Sequence, residues 1–128
     1  MDHLNDAQLE QLRERLVHEL AALVERAGAF VGESADFSPD TGDRQDVAAA
    51  EQARTAAAGM AERDRRRILE VEAAIQRMDE GTYGICEVTD EPIPFGRLSI
   101  EPTARTTVEG QEELEAERRA RGEATEAY

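Results

Sequence analysis

Paired carboxylates are the first residues in this chain with a chemistry of their own. Asp43 and Asp46 stand three positions apart, with the small Ala48 just beyond them. Such a pair can set two negative charges at one point or hold a divalent cation in a catalytic centre. It can also cap a following helix, whose free N–H groups and dipole favour an anion. Arg63, Arg65, Arg66 and Arg67 form the one basic cluster, either a solvated helix face or an interface. Cys86 is the single cysteine, so no internal disulfide can form. No cation lies near it in sequence to lower its pKa, which favours a buried thiol over a redox sensor. His3 and His18 are 15 residues apart, not at ligand spacing, and read as solvated surface histidines. No phosphate-cradling glycine loop and no Ser/His/Asp or Cys/His constellation is present, so an enzyme is not expected.

These residues must be carried by helices. From about Leu4 to Val31, Leu9, Leu12, Leu16, Leu20, Leu23, Ala27 and Phe30 recur at steps of three and four, the period of an amphipathic helix. Asn5 or Asp6 can cap its start, and Gln8 sits where a capping box from Asn5 would place it. Gly32 to Gly42 is rich in Gly, Ser, Asp and Pro and reads as a connection. A second stripe follows in a helix from about Asp46 to Asp79: Ala50, Ala57, Ala61, Ile68, Val71, Ile75 and Met78, interrupted by Arg54 and Asp64. At 1.5 Å per residue its length is roughly 50 Å. Two such helices on a short connection pair as an antiparallel coiled coil, each stripe covering the other. Beyond Gly81 the helical period gives way to turn residues, expected to form a small knuckle or hairpin through Leu98. Val108 to Arg121, dense in Glu and Arg, reads as a weakly anchored terminal helix.

The expected organisation is therefore a coiled-coil hairpin over 1–80 with an acidic tip loop at 32–46, a knuckle plus helix over 81–122, and a disordered tail over 123–128. The fold class is mainly α. Composition agrees: three Phe, two Tyr and no Trp leave little aromatic area for a rounded core. A net charge of −14 argues against a general polyanion-binding surface. No leader or spanning segment is evident, so a cytoplasmic, membrane-free protein is expected.

The segment Gly81-Thr82-Tyr83-Gly84-Ile85-Cys86, followed by Glu91-Pro92-Ile93, Arg97-Leu98, Pro102-Thr103-Ala104 and Gln111, resembles the C-terminal zinc-finger signature of the DksA/TraR family of bacterial transcription regulators. Upstream, Asp43-Arg44-Gln45-Asp46-Val47-Ala48 is similar to that family's Asp-x-x-Asp-x-Ala motif, and the Leu4-to-Leu12 start matches too. The resemblance implies a monomer that binds RNA polymerase. Its acidic coiled-coil tip would enter the secondary channel and change initiation, without sequence-specific nucleic-acid binding. It carries Asp43, Asp46 and Ala48 over as the tip, and Arg63, Arg65, Arg66 and Arg67 as a possible contact with the polymerase rim.

The family's zinc site uses two Cys-x-x-Cys pairs; the matching positions here are Cys86, Thr89, Thr107 and Gly110. Three ligands are replaced, so no zinc is expected. The knuckle should then rest on packing of Tyr83, Ile85, Val88, Ile93, Phe95, Leu98 and Ile100, helped by Pro92, Pro94 and Pro102. The family's ppGpp-binding positions match Glu70, Glu101 and Gln111, none of them basic, so ppGpp binding in the family's manner is not expected. Two other functions fit parts of the pattern. One is a Gre-type transcript-cleavage factor, whose tip carboxylates hold Mg²⁺; the other is a coiled-coil adaptor with no polymerase target.

Overall fold

The computed structural model describes residues 1–36 and 44–126. Four helices follow in order: α1 (Asp6–Asp36), α2 (Arg44–Glu80), α3 (Phe95–Ile100) and α4 (Val108–Glu126). Among the described residues there is no strand, only an isolated antiparallel bridge between Ile85 and Pro92. No described helix is long and apolar enough to cross a membrane. The chain divides into two compact units, Met1–Leu16 with Ala73–Tyr128, and Val17–Glu72.

The start of α1 is the expected capping box: Gln8 N–H donates to Asn5 Oδ1 at 2.7 Å and Asn5 N–H to Gln8 Oε1 at 3.0 Å. Its other end differs from expectation. The helix continues through Gly32 to Asp36. One glycine costs a helix only about 1 kcal/mol relative to alanine, and Glu33, Ser34 and Ala35 are compatible with it. α2 starts at Arg44, two residues before the expected Asp46.

In the Val17–Glu72 unit, Leu23 and Val71 are buried and Leu20, Ala27, Ala50, Ala57, Ala61 and Ile68 half-buried, so both apolar stripes face inward as their spacing requires. Glu19 pairs with Arg67 and Arg26 with Asp64. Residue numbers rise along α1 as they fall along α2, which makes the pair antiparallel.

In the other unit Leu4, Leu12, Leu16, Ala74, Met78, Tyr83, Cys86, Ile93 and Leu98 are buried. Full burial of such side chains is worth about 1.5–3 kcal/mol each, which makes this the main core. Two residues expected in it are not: Val88 is 36% exposed and Ile100 85%. Ile100 closes α3, a helix inside the stretch read as hairpin. Pro94, at φ −59, precedes its first turn, where the fixed ring torsion suits helix entry. Buried Pro102, Thr103, Thr106 and Thr107 belong to this core instead. α4 runs to Glu126, past the expected end at Arg121 and into the stretch read as a disordered tail. Glu115 with Arg119, and Glu117 with Arg121, stand at the four-residue spacing that supports an exposed helix, and Ala120 and Ala124 favour its continuation.

Candidate functional site

Asp46 is exposed in the first turn of α2, and Ala48 is exposed in the same helix. Asp43 lies outside the described residues. A carboxylate in a first helical turn faces unpaired N–H groups, so Asp46 stabilises the start of α2 whatever else it does. Beside it, Ala48, Glu51, Gln52, Thr55 and Ala56 line an open groove.

The basic cluster separates into two kinds of residue. Arg65 donates to Glu62 at 2.8 and 3.1 Å, and Arg66 lies 3.6 Å from the same carboxylate. The Arg65 hydrogen bond is the main reason that Glu62's carboxyl sits below its ordinary range. Arg63 donates to Gly59 O at 3.4 Å. These three are surface residues. Arg67 is not: its side chain is 25% exposed and makes two hydrogen bonds to Glu19, at 2.5 and 3.1 Å, plus one to Glu70 at 3.3 Å.

The knuckle is a tight hairpin. Cys86 N–H donates to Glu91 O at 2.8 Å, Ile93 N–H to Gly84 O at 2.7 Å and Asp90 N–H to Cys86 O at 2.9 Å, with Asp90 at φ 59 in the turn. Gly84 is required twice over. Its φ of +79 disfavours a side chain, and a Cβ there would lie 3.2 Å from the His3 ring and 3.3 Å from Leu4. His3 is at the surface, as expected, but not merely solvated, since its Nε2 hydrogen-bonds Ile93 O at 2.8 Å. His18 is exposed, as expected.

α3 and the loop between it and α4 are held by side chains reaching their carbonyls. Arg15 donates to Ser99 O at 2.5 Å, Arg97 to Thr106 O at 2.7 Å and Arg77 to Thr103 O at 3.5 Å. The Tyr83 hydroxyl donates to Pro102 O at 2.7 Å. Glu87 N–H reaches Arg105 O, and the Arg105 side chain reaches back to Glu87, both at 2.9 Å. Sequence reasoning missed these arginines because their partners, carbonyl oxygens for Arg15, Arg77 and Arg97 and the Glu87 carboxylate for Arg105, lie 9 to 84 positions away in the chain. Glu101 accepts from Thr103 at 2.7 Å, and Gln111 accepts from Thr106 at 3.1 Å and donates to Glu115 at 3.2 Å. With Glu70 bound to Arg67, the three positions matching the ppGpp site are acidic or neutral groups with partners inside the chain.

Cys86, Thr89, Thr107 and Gly110 converge, although 24 positions separate the first from the last. Thr89 N–H donates to Cys86 Sγ at 3.5 Å and the Thr107 hydroxyl to the same sulfur at 3.6 Å. Thr107 Oγ1 in turn accepts Gly110 N–H at 3.1 Å, which makes Thr107 the N-cap of α4. A threonine three residues before that N–H was the available sequence signal. Structural zinc takes four sulfur or nitrogen ligands in a tetrahedron, and hydroxyls and a glycine do not supply them. A Cβ on Gly110 would stand 2.6 Å from Cys86 Sγ, so the sulfur already fills the space a fourth ligand needs. These residues do not fit zinc. Among the described residues no group of three or more His, Cys, Asp or Glu could hold a metal.

The same contact makes a stability prediction. Gly110→Ala should cost about 1–3 kcal/mol by overpacking against a buried sulfur. Most of that loss should disappear when Cys86→Ala is the background, so the two changes should couple in a urea-unfolding cycle. Equal cost in both backgrounds would mean that the sulfur is not what Gly110 accommodates.

Burial raises the Cys86 thiol pKa, but hydrogen bonds from the Thr89 side chain, the Thr107 and Thr89 backbone and the Thr107 side chain outweigh it, bringing the group down to about 6 from 9.0. The lowering needs no cation. Because the folded value is depressed, the stabilisation is present above the unfolded thiol's pKa and is lost as pH falls through about 6. Each tenfold change in proton affinity is worth about 1.4 kcal/mol. Stability should therefore fall by about that much or more from pH 9 to pH 6, measured as the difference between the wild type and Cys86→Ser. Parallel pH profiles for the two would contradict it.

Residues 81–116 match the family model for the prokaryotic dksA/traR C4-type zinc finger. The chain is 32% identical over 116 residues to the RNA polymerase-binding transcription factor DksA of Caulobacter vibrioides, spanning 91% of this chain and 82% of that protein. A shorter match, 50% identical over 52 residues, joins it to general stress protein 16O of Bacillus subtilis and covers 41% of this chain and 32% of that one. The solved structure of transcription factor DksA2 from Pseudomonas aeruginosa superposes with a TM-score of 0.76 at 30% identity, over 90% of this chain and 88% of that one. A paired-helix body, a hairpin knuckle with the remnant of a four-ligand site, and likeness along nearly the whole length lead to one assignment: the chain belongs to the DksA/TraR family.

Proposed function

We propose that this chain binds RNA polymerase and presents Asp43 and Asp46, the second of them in the first turn of α2, inside the enzyme's secondary channel, altering initiation without sequence-specific contact to DNA. The observation that carries the reading is the likeness over 91% of the chain to a relative described as an RNA polymerase-binding transcription factor. The exposure of Asp46 and Ala48 supports it, because a narrow channel admits only a helical hairpin with small residues near its end. Arg63, Arg65 and Arg66 are the basic residues available for the polymerase rim, while Arg67 serves the hairpin itself. The knuckle works without zinc, Cys86 and its hydrogen-bond donors standing where a metal would otherwise organise the fold. Transcription by purified polymerase at a ribosomal RNA promoter, with and without ppGpp, tests the function, together with co-purification of the two proteins. A change in transcript yield with stable binding is the expected result. Absence of binding would remove the polymerase reading, and stoichiometric zinc by elemental analysis would remove the metal-free one.

A further inference from the structure

Four charged residues in or beside the apolar stripes of α1 and α2 are arranged by sign. On α1, the strict three-and-four repeat running Leu9, Leu12, Leu16, Glu19, Leu23, Arg26 puts an acid and then a base in the row, one heptad apart. On α2, Asp64 falls in the stripe between Ala61 and Ile68, and Arg67 flanks it. Arg26 donates to Asp64 at 2.8 Å, and Arg67 makes its paired hydrogen bonds to Glu19 at 2.5 and 3.1 Å. Three of the four side chains are largely shielded, with Asp64 23%, Arg67 25% and Glu19 35% exposed.

We infer that Glu19, Arg26, Asp64 and Arg67 are a register lock, fixing the axial alignment of α1 on α2. Apolar stripes alone tolerate sliding, since leucine, isoleucine and alanine at repeated spacing meet similar neighbours after a step of one turn. The charges do not tolerate it. If α2 slides by three residues in one direction, Asp64 comes alongside Glu19. A slide of three residues in the other direction brings Arg67 alongside Arg26. Either step sets like charges together in a partly shielded seam, where neither can be relieved fully by water. Polar groups of this kind add little net stability, yet they select one alignment, the best-attested use of a polar residue in a coiled-coil seam. If the proposed function holds, the four are positioning residues for the tip, because the alignment decides which residues form the end of the hairpin.

The test exchanges the signs. Spin labels on Val24→Cys and Met60→Cys, both exposed positions of this unit, report the inter-helix distance in the full chain. Exchanging the α2 charges, Asp64→Arg/Arg67→Asp, sets like charges together in the native alignment and opposite charges together after a three-residue slide. The distance distribution should move or split by several ångströms, three residues being about 4.5 Å along a helix. Adding Glu19→Arg/Arg26→Glu restores the original pairing with every sign reversed and should restore the original distribution. An unchanged distribution in the exchanged pair overturns the inference. So does failure of the fourfold variant to return to the wild-type distance, including when the exchanged pair alone does not fold. Transcription assays on the same proteins should show the effect lost and then regained. If the wild type itself has no effect on transcription, the function is at fault and the distance measurement still decides the lock.

Discussion

Asp43→Asn/Asp46→Asn should reduce the effect on transcription tenfold or more while leaving the protein folded and still bound to polymerase. The substitution keeps size and hydrogen-bonding shape and removes two charges from one short segment. Hydrogen bonds to charged groups contribute about 1.5–3 kcal/mol each, so even one lost interaction of this kind amounts to a factor of ten. Stability should move little. Asp46 is exposed, and its favourable interaction with the α2 dipole is worth about 0.3–1 kcal/mol. Promoter transcription with titrated protein, run beside a binding measurement, separates the outcomes. Full activity of the double variant would dismiss the tip as the working part. Loss of binding together with loss of activity would assign the carboxylates to affinity instead of to the regulatory step.

Tyr83→Ala should be among the most destabilising single changes, at about 3–5 kcal/mol. Its side chain is fully buried in the knuckle, and its hydroxyl donates to Pro102 O at 2.7 Å, joining the hairpin to the loop after α3. Burial also pushes its pKa up to about 12, so the group is a neutral donor throughout the physiological range. Tyr83→Phe isolates the hydroxyl. It keeps the ring but leaves a buried carbonyl without its donor, a loss of about 1–3 kcal/mol. For a small domain with total stability of about 5–15 kcal/mol, the alanine variant approaches the limit of folding. Urea unfolding followed by circular dichroism gives both values. A phenylalanine variant as stable as the wild type would show that Pro102 O finds another donor, and an alanine variant losing under 1 kcal/mol would contradict the packing role.

Some of this architecture was legible as spacing. The two long helices, the capping box at Asn5 and Gln8, and the inward faces at Leu12, Leu16, Leu23, Val71 and Met78 follow from period and local hydrogen-bond chemistry, which act over four residues or fewer. Helix ends were less legible. Gly32 lowers helix stability without forbidding it, so α1 runs on, and α3 and the end of α4 emerged where short-range signals were mixed. Exposure of Ile100 and Val88 could not be read from side-chain type, because hydrophobicity states what burial is worth and not whether a partner surface exists.

The sequence by itself determined the helical body, the two carboxylates Asp43 and Asp46 three positions apart and the replacement of three ligand positions in the knuckle, since each depends on residue identity at a fixed spacing. Only the tertiary structure decided that Cys86, Thr89, Thr107 and Gly110 still meet, with the sulfur occupying the space beside Gly110. It likewise turned Arg67 from a candidate surface contact into the partner of Glu19. The reason is common to both: a hydrogen bond or a close contact between residues 21 to 48 positions apart depends on how the chain returns on itself, and no local pattern encodes that return.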